Sequence, residues 1–595
     1  MSATDPGGSL RQALANGARL LERDAAGAAE QAVAILSVTR DQPDALRLLG
    51  RALRKLGRIA DARRIEQAAI DTSLRTPELR AAGTALARGD LAGAEAPLRQ
   101  VLRHSPDDVA ANRMLADIAA RLGIYPDAEQ RLRAARVIAP DHADLAVDLA
   151  LVLFPQGRVE ESLSVLDEVI DREPAHIRAA ASRADILAQT GDYNAASTTY
   201  QALLAEVGDQ PEILMWYGHL LKTVGRQQEA VQAYRRATAL DPDLAEAWWS
   251  LAELKADRVD DTDIAAIGQA LKRAPTDEKR LFLHFALGKA LEDRRDWEQS
   301  FAHYAAGNRL RLSLEPHDRE AVTEETDRSI ALYDKAFYAA RQGVGCPALD
   351  PIFIIGLPRA GSTLIEQILS SHSQIEGTSE LPDIPLMVQA LVANRWQDSD
   401  ASYPEVVRSL DASALRDLGE RYLASAARHR KSDAPFFIDK LPNNWRYIGL
   451  IHLILPNARI IDARRGAMAC CFSNLKQHFA RGQTFAYAQA DIGSYYVDYV
   501  RLIRHFDQVA PGLIYRVQHE DLVADPEPVI RRLIEHLGLP FEEACIRPHE
   551  NNRPVRTASS EQVRRPINRD AVDLWRNYEP WLDELKQALG PLAPK

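Results

Sequence analysis

Gly356 and Gly361, with four residues between them and Ser362-Thr363 behind, punctuate an otherwise apolar segment, IFIIGLPRAGSTL (residues 352–364). An apolar strand passing through a glycine-bounded turn into a helix makes an anion cradle. The turn's N–H groups and the positive end of the helix both face the ligand, whatever the side chains are. The spacing is that of a nucleotide phosphate loop, with one change: Ser362 stands where a lysine would reach the outer phosphates of a triphosphate. With Arg359 inside the loop instead, the pattern predicts a phosphate donor other than a nucleoside triphosphate. Further along, Arg464 and Arg465 close the apolar run Arg459–Asp462, and Ser473 follows Arg465 by eight residues. An arginine at a strand end can fork two phosphate oxygens, and a serine on the next helix adds a neutral donor.

Two kinds of element must position these residues. From Pro351 on, apolar strand candidates (Ile352–Ile355, Phe436–Ile438, Arg459–Asp462, Gly512–Val517) alternate with helical stretches. That grammar predicts an α/β domain with a mostly parallel sheet, whose anion sites lie beyond the strands' carboxyl ends. Before it the chain repeats every 34 residues: Gly89, Gly123, Gly157, Gly191 and Gly225 are equally spaced. Small residues come five later (Ala94, Ala128, Ser162, Ala196, Ala230) and larger ones nine later (Leu132, Leu166, Tyr200, Tyr234). Glycine suits the turn between two helices, the small residue their close crossing, and Pro106, Pro140, Pro174 and Pro242 the stop after the second. This is the helix-turn-helix period of tetratricopeptide repeats, an all-α solenoid whose concave face commonly binds peptide segments. The expected organisation is a repeat solenoid over residues 10–312, a helical connector over 313–350 and an α/β domain over 351–595.

Composition narrows the partners. The chain of 595 residues has net charge −11, and residues 351–595, with 29 basic and 30 acidic side chains, are near neutral. The surplus lies in residues 1–350, with 44 basic and 54 acidic, which argues against nucleic acid and mildly favours basic partners. Four cysteines (Cys346, Cys470, Cys471, Cys545) show neither zinc spacing nor a disulfide framework, and His372, His452, His478 and His519 add no metal pattern. No metal site is expected. No basic-then-apolar leader and no run of about 18 apolar residues is present, so the expectation is a cytoplasmic protein without a membrane span, and the pairing of the repeats with this α/β domain adds a bacterial source.

The second half resembles sulfotransferases, closest to the tyrosylprotein branch and to bacterial sulfotransferases fused to tetratricopeptide repeats. Six ordered blocks carry the resemblance: IIGLPRAGSTLIEQILSSHSQI, EGTSELPDIP, DKLPNNWRYIGLIHLILPNARIIDARRG, CCFSNLKQHF, EDLVADPEPVIRRLIEHLGLPFEEAC and VRTASSEQVRRPINRDAVDLWRNYEPWL. The resemblance implies a P-loop-like sulfotransferase domain using 3′-phosphoadenosine-5′-phosphosulfate (PAPS), without metal, to sulfate a hydroxyl or amine. It implies that Arg359, Ala360, Gly361, Ser362, Thr363 and Leu364 hold the 5′ phosphosulfate, Ala360 lacking the hydroxyl usual there. Arg465 and Ser473 match the 3′-phosphate pair, with Arg464 the alternative arginine. Glu380, 21 residues after Arg359, matches the catalytic base, with Glu376 its rival. Lys440 and Ser559 match donors to the bridging oxygen. Gln562, Arg564, Arg565 and Asn568 match a segment closing over the nucleotide. Leu574 replaces a basic residue before Trp575, leaving Arg576 to take over that contact, and His519 stands where a nucleotide-contacting tyrosine can occur.

The acceptor stays open among sugar, lipid, peptide tyrosine and small phenol. Tyrosine-sulfating relatives read acidic peptides, but here Asp383 follows Glu380 and the repeat half is acidic, so that specificity does not carry over. The repeats either recruit an acceptor protein, peptide or small molecule on their concave face, or act as architecture, including in a homodimer. Two other readings compete: a P-loop-type kinase, against which Ser362 speaks, and a repeat scaffold with an inactive transferase domain.

Overall fold

The computed structural model describes residues 6–254, 259–393, 402–480, 482–551, 553, 555, 557 and 562–594. They form two compact units, Met1–Ile213 and Leu214–Lys595.

The first unit is built of helices in antiparallel pairs, such as Val109–Arg121 with Tyr125–Ile138 and Ala143–Leu153 with Val159–Arg172. The periodic glycines are the turns between partners. Gly89, Gly123, Gly157 and Gly191 have φ of 75, 74, 77 and 88°. The N–H just after each reaches back five residues: Asp90 to the Ala85 carbonyl (2.9 Å), Ile124 to Ala119 (2.8 Å), Arg158 to Leu153 (3.2 Å) and Asp192 to Leu187 (2.8 Å). Each pair's first helix thus ends in a left-handed cap, a conformation that disfavours any residue with a Cβ. Ala94, Ala128, Ser162 and Ala196 are wholly buried where the helices cross, and Leu98, Leu132 and Leu166 fill the space beside them.

The second unit begins with more helices of this kind: Gln227–Leu240, Ala245–Glu253, Asp261–Arg273, Asp277–Asp293 and Trp297–Leu314. The last pair keeps the turn without the glycine. Arg295 takes φ 63°, and the Asp296 N–H reaches the Leu291 carbonyl at 3.0 Å. Ser300 and Tyr304, five and nine residues on, are buried as in the regular repeats. A left-handed non-glycine residue costs roughly 1–2 kcal/mol, which the packing of this pair supports. Helices Arg319–Leu332 and Lys335–Ala339 lead to the sheet.

Five strands form that sheet: β1 (Pro351–Gly356), β2 (Ile375–Ser379), β3 (Phe436–Asp439), β4 (Arg459–Arg464) and β5 (Ile514–Gln518). Their order is β2-β3-β1-β4-β5 and every pairing is parallel, with Ile352 opposite both Ile438 and Arg459. Four strands match the sequence expectation to within two residues at either end. The edge strand β2, IEGTS, carries a single large apolar residue and gave no such signal. All six residues of β1 are buried, and Ile352, Ile354, Ile438 and Ile461 pack with Ile365, Ile368 and Ile530 into the core. Because β1 lies between strands that come later in the chain, its carboxyl end opens the crevice where such sheets bind ligands.

The terminal repeats and this α/β domain are one packed body. Asn308 donates to the Leu475 carbonyl (2.9 Å), the Ser300 and Tyr578 hydroxyls meet at 2.9 Å, and Gln477 donates to Glu253 (2.6 Å).

Candidate active site

All five strands place a polar residue within three positions of their carboxyl ends, on one rim of the sheet. Arg359 follows β1, Glu380 follows β2, Lys440 follows β3, Arg465 follows β4 and His519 follows β5. The loop after β1 is fixed by close backbone contacts. Gly356 has φ 140°, and a Cβ there would lie 2.5 Å from the Ala463 carbonyl oxygen of β4. Gly356→Ala should therefore destabilise the fold by on the order of 1–3 kcal/mol, read as a lowered midpoint in urea unfolding. Gly361 has φ 97°, and a Cβ there would meet His519 Nδ1 at 2.6 Å, so the imidazole packs beneath the loop. Burial and Arg465 push His519 down to about 4, which keeps it neutral. Arg359 itself sits at φ 65°, a left-handed conformation that aims its side chain off the strand. The helix Ser362–Leu369 starts directly at Gly361, so its first N–H groups face the crevice; Ser362 and Thr363 are buried there, and Thr363 Oγ1 meets Thr557 Oγ1 at 3.1 Å.

Two guanidiniums share one buried position. Arg465, 5% exposed, donates to the carbonyls of Arg359 (2.9 Å) and Ala571 (2.5 Å), while its Nε has no partner. Arg359 Nε donates to Ser473 Oγ at 3.4 Å. Burial and the neighbouring Arg465 push Arg359 down to about 10, and burial likewise lowers Arg465. Like charges drawn together and largely withdrawn from water, with the Arg465 Nε unused, are what an anion would relieve. These side chains, with Ser473, Lys476 and Gln562, line a cavity of about 190 Å³. Arg464, the alternative arginine, is turned away: it binds Asp462 (2.9 Å) and the Tyr499 hydroxyl (2.7 Å).

On the other side of β1, Lys440 is buried and its Nζ bonds Glu380 Oε1 in a short contact, with Glu366 Oε2 at 3.9 Å behind it. Glu366 lies in the helix after the loop, 2% exposed, and accepts from Arg553 at 2.6 Å. The sequence reading missed both Glu366 and Arg553. A glutamate inside the otherwise apolar helix STLIEQIL is the one signal it held. Glu380 is 44% exposed on its side chain and lines a cleft of about 710 Å³ with Gly361, Ser362 and Thr363. Glu376, the rival base, sits at the opposite end of β2 and accepts from Ser432 Oγ (2.9 Å).

The remaining sequence candidates separate. Gln562 reaches the smaller cavity. Arg564 goes elsewhere: it donates to the Thr223 carbonyl (3.1 Å), docking the C-terminal segment on a repeat helix. Arg565 and Asn568 are exposed, Asn568 bonding the Pro566 carbonyl, and Arg576 stacks over Trp575 and pairs with Asp573. Ser559 lies outside the described residues. Ala360 and Leu364 are part of the loop and its helix, Ala360 buried.

This is a parallel α/β domain with a glycine-bounded strand-turn-helix loop at its central switch point. Residues 351–543 match the sulfotransferase family, and residues 85–149, 125–186, 153–220 and 218–257 match tetratricopeptide repeats. The chain thus joins a sulfotransferase-family domain to tetratricopeptide repeats. An uncharacterized protein of Aquifex aeolicus is 34% identical over 311 residues, which cover 51% of this chain and 41% of that protein. This chain therefore spans under half of that relative's length. A putative protein-tyrosine sulfotransferase of Caenorhabditis briggsae is 25% identical over 256 residues, 41% of this chain and 86% of that protein. Among solved structures, the sulfotransferase domain of the Synechococcus PCC 7002 olefin synthase is 22% identical. It covers 40% of this chain and 90% of that one, with a TM-score of 0.29. Among the described residues no helix is long and apolar enough to cross a membrane.

Proposed function

We propose that the chain is a PAPS-dependent sulfotransferase acting on a hydroxyl. The observation that carries this reading is the convergence at four neighbouring strand ends of Arg359, Glu380, Lys440 and Arg465, with Lys440 bonded to Glu380. When bound, the donor supplies an S–O bond whose cleavage leaves negative charge on the bridging phosphate oxygen. Arg465 and Ser473 are the residues to hold its 3′ phosphate and the N–H groups after Gly361 its 5′ end; Arg359, expected from the sequence at the 5′ end, bonds Ser473 and so joins the 3′ group instead. Glu380 Oε1, released from Lys440, takes the proton of the acceptor hydroxyl. Lys440, still held by Glu366, then faces the developing charge. Transfer of this kind is mainly positioning plus charge stabilisation, so no covalent step on the protein is needed.

Two measurements test the reading. Calorimetry should show tight binding of adenosine 3′,5′-bisphosphate and weaker binding of ATP with magnesium; the reverse order would favour a kinase. Labelled sulfate should pass from the donor to an acceptor at a rate that Glu380→Gln lowers by about 10²–10⁴; unchanged rates would remove the assignment.

The bisphosphate's affinity should also depend on pH. Lys476 lines the same cavity as Arg465, and burial pushes it down to about 8; Lys289 and Arg359 add to the shift, while Glu292, 2.7 Å away, opposes it. A bound anion favours the ammonium form and raises this value. Above about pH 8 binding must therefore take up a proton, and affinity should fall by up to about tenfold per pH unit. Calorimetry between about pH 7 and about pH 9, in buffers of different ionisation heat, reads both the loss and the proton.

A further inference from the structure

The cleft that holds Glu380 at one end is walled at the other by repeat helices. His219, Glu246, Trp249, Glu278 and Phe282, from the helices Pro211–Val224, Ala245–Glu253 and Asp277–Asp293, line it together with the phosphate loop. The wall has an aromatic floor. Trp249 makes edge contacts with Phe285 (5.6 Å) and His478 (6.4 Å), and Phe282 meets His478 at 4.8 Å.

Its charges are unevenly used. Among the described residues, the cations lining the cleft on this side are already paired: Lys222 binds Glu253 at 2.8 Å, and Arg311 binds Glu315. Two carboxylates are not. Glu278 is exposed and makes no ion pair among the described residues. Among the described residues Glu246 faces only His219 Nε2, 4.0 Å away, and burial pushes that imidazole down to about 4, so it carries no charge near neutrality. Burial without a cation also raises Glu246 above its ordinary value, a penalty that an incoming positive charge would remove. Carboxylates beside the half-buried Phe282 suit a lysine or arginine, which gains from both the charge and the ring.

We propose, resting on the sulfotransferase reading above, that the terminal repeats select the acceptor. It is a peptide tyrosine flanked by basic residues, whose phenol reaches Glu380 while a neighbouring cation sits against Glu246, Glu278 and Phe282. Sulfation then breaks the phenol O–H and the donor's S–O bond to its bridging phosphate oxygen, forms the phenol O–S bond, and leaves the proton on Glu380 and the adenosine bisphosphate as leaving group. The donor site and the selecting wall belong to one packed body, so the domain does not choose its acceptor without these helices.

The test uses the full chain, labelled donor, and three peptides alike except for tyrosine neighbours of lysine, glutamine or glutamate. The lysine peptide should exceed the glutamate peptide in kcat/KM by about tenfold. That ratio should shrink on raising salt from about 50 mM to about 0.5 M, because exposed charges are screened. In Glu246→Gln/Glu278→Gln the ratio should fall toward one. A ratio at or below one in the wild type, or one unmoved by the double substitution, overturns the proposal. So does bisphosphate binding with no labelling of any of the three peptides, which leaves the donor site standing. Absence of bisphosphate binding removes the sulfotransferase reading itself, and the proposal with it.

Discussion

Replacing Lys440 by alanine is expected to lower the rate of sulfuryl transfer by about 10²–10³, the usual effect of deleting a donor aimed at charge that develops in the transition state. The geometry argues for a rate effect rather than a binding effect. Lys440 is 1% exposed and capped by Glu380, so in this arrangement its charge is spent on a carboxylate and not offered to the cleft. In the proposed mechanism it becomes available when Glu380 turns to the acceptor, which would couple the arrival of the substrate to the exposure of the ammonium. Glu366, on the far side, keeps the lysine compensated at 3.9 Å during that exchange. The expected pattern in single-turnover measurements is a large fall in rate with bisphosphate affinity little changed. Glu366 retains Arg553 at 2.6 Å in the variant, so the cost in stability should stay below what an orphaned buried carboxylate would impose. A thermal melt close to wild type would separate lost chemistry from lost fold. A variant that transfers sulfate at the wild-type rate would remove Lys440 from the mechanism.

The parts of this site legible in the sequence are those imposed by local backbone geometry. Gly356 and Gly361 announce the loop because no other residue fits against Ala463 or His519, and the regular glycines announce the repeats because each caps a helix. Arg295 closes its turn without that marker, so the glycine period does not reach the last repeat. What sequence spacing cannot encode is which strand ends meet. Glu380 and Lys440 are 60 residues apart and touch only because β2 lies beside β3, and the pairing of Glu366 with Arg553 spans 187 residues. The roles proposed for Glu380 and Lys440 rest on the family resemblance, not on spacing. β2 itself is hidden because an edge strand facing solvent does not require apolar residues. The contribution of the repeats to the cleft, through Glu246, Trp249 and Phe282, left no trace in the period, which records how helices pack and not what their free faces do.

The adjacent arginines show the same distinction, and they carry the second large effect. Arg465→Ala is expected to weaken adenosine 3′,5′-bisphosphate binding by about 10² or more. A charge-assisted hydrogen bond to phosphate is worth about 1.5–3 kcal/mol, and a forked guanidinium makes two. Arg464→Ala should act on stability instead. Side chains alternate along a strand, so Arg464 shares a face with Asp462, which is wholly buried, while Arg465 lies past the strand end at the crevice. Arg464 stacks on Tyr499 at 4.5 Å and bonds both its hydroxyl and Asp462. Without it Asp462 keeps Arg516 at 3.0 Å, so the loss is partial, on the order of 1–3 kcal/mol. Calorimetry and urea unfolding on both variants resolve the two effects: Arg465→Ala should fold near normally and bind poorly, Arg464→Ala should unfold early and bind well while folded. The opposite pattern would move the phosphate to Arg464 and require the crevice face of β4 to be read one residue back, with Asp462 rather than Ser473 beside the anion. A buried carboxylate cannot occupy that place without repelling it, and so the geometry favours Arg465.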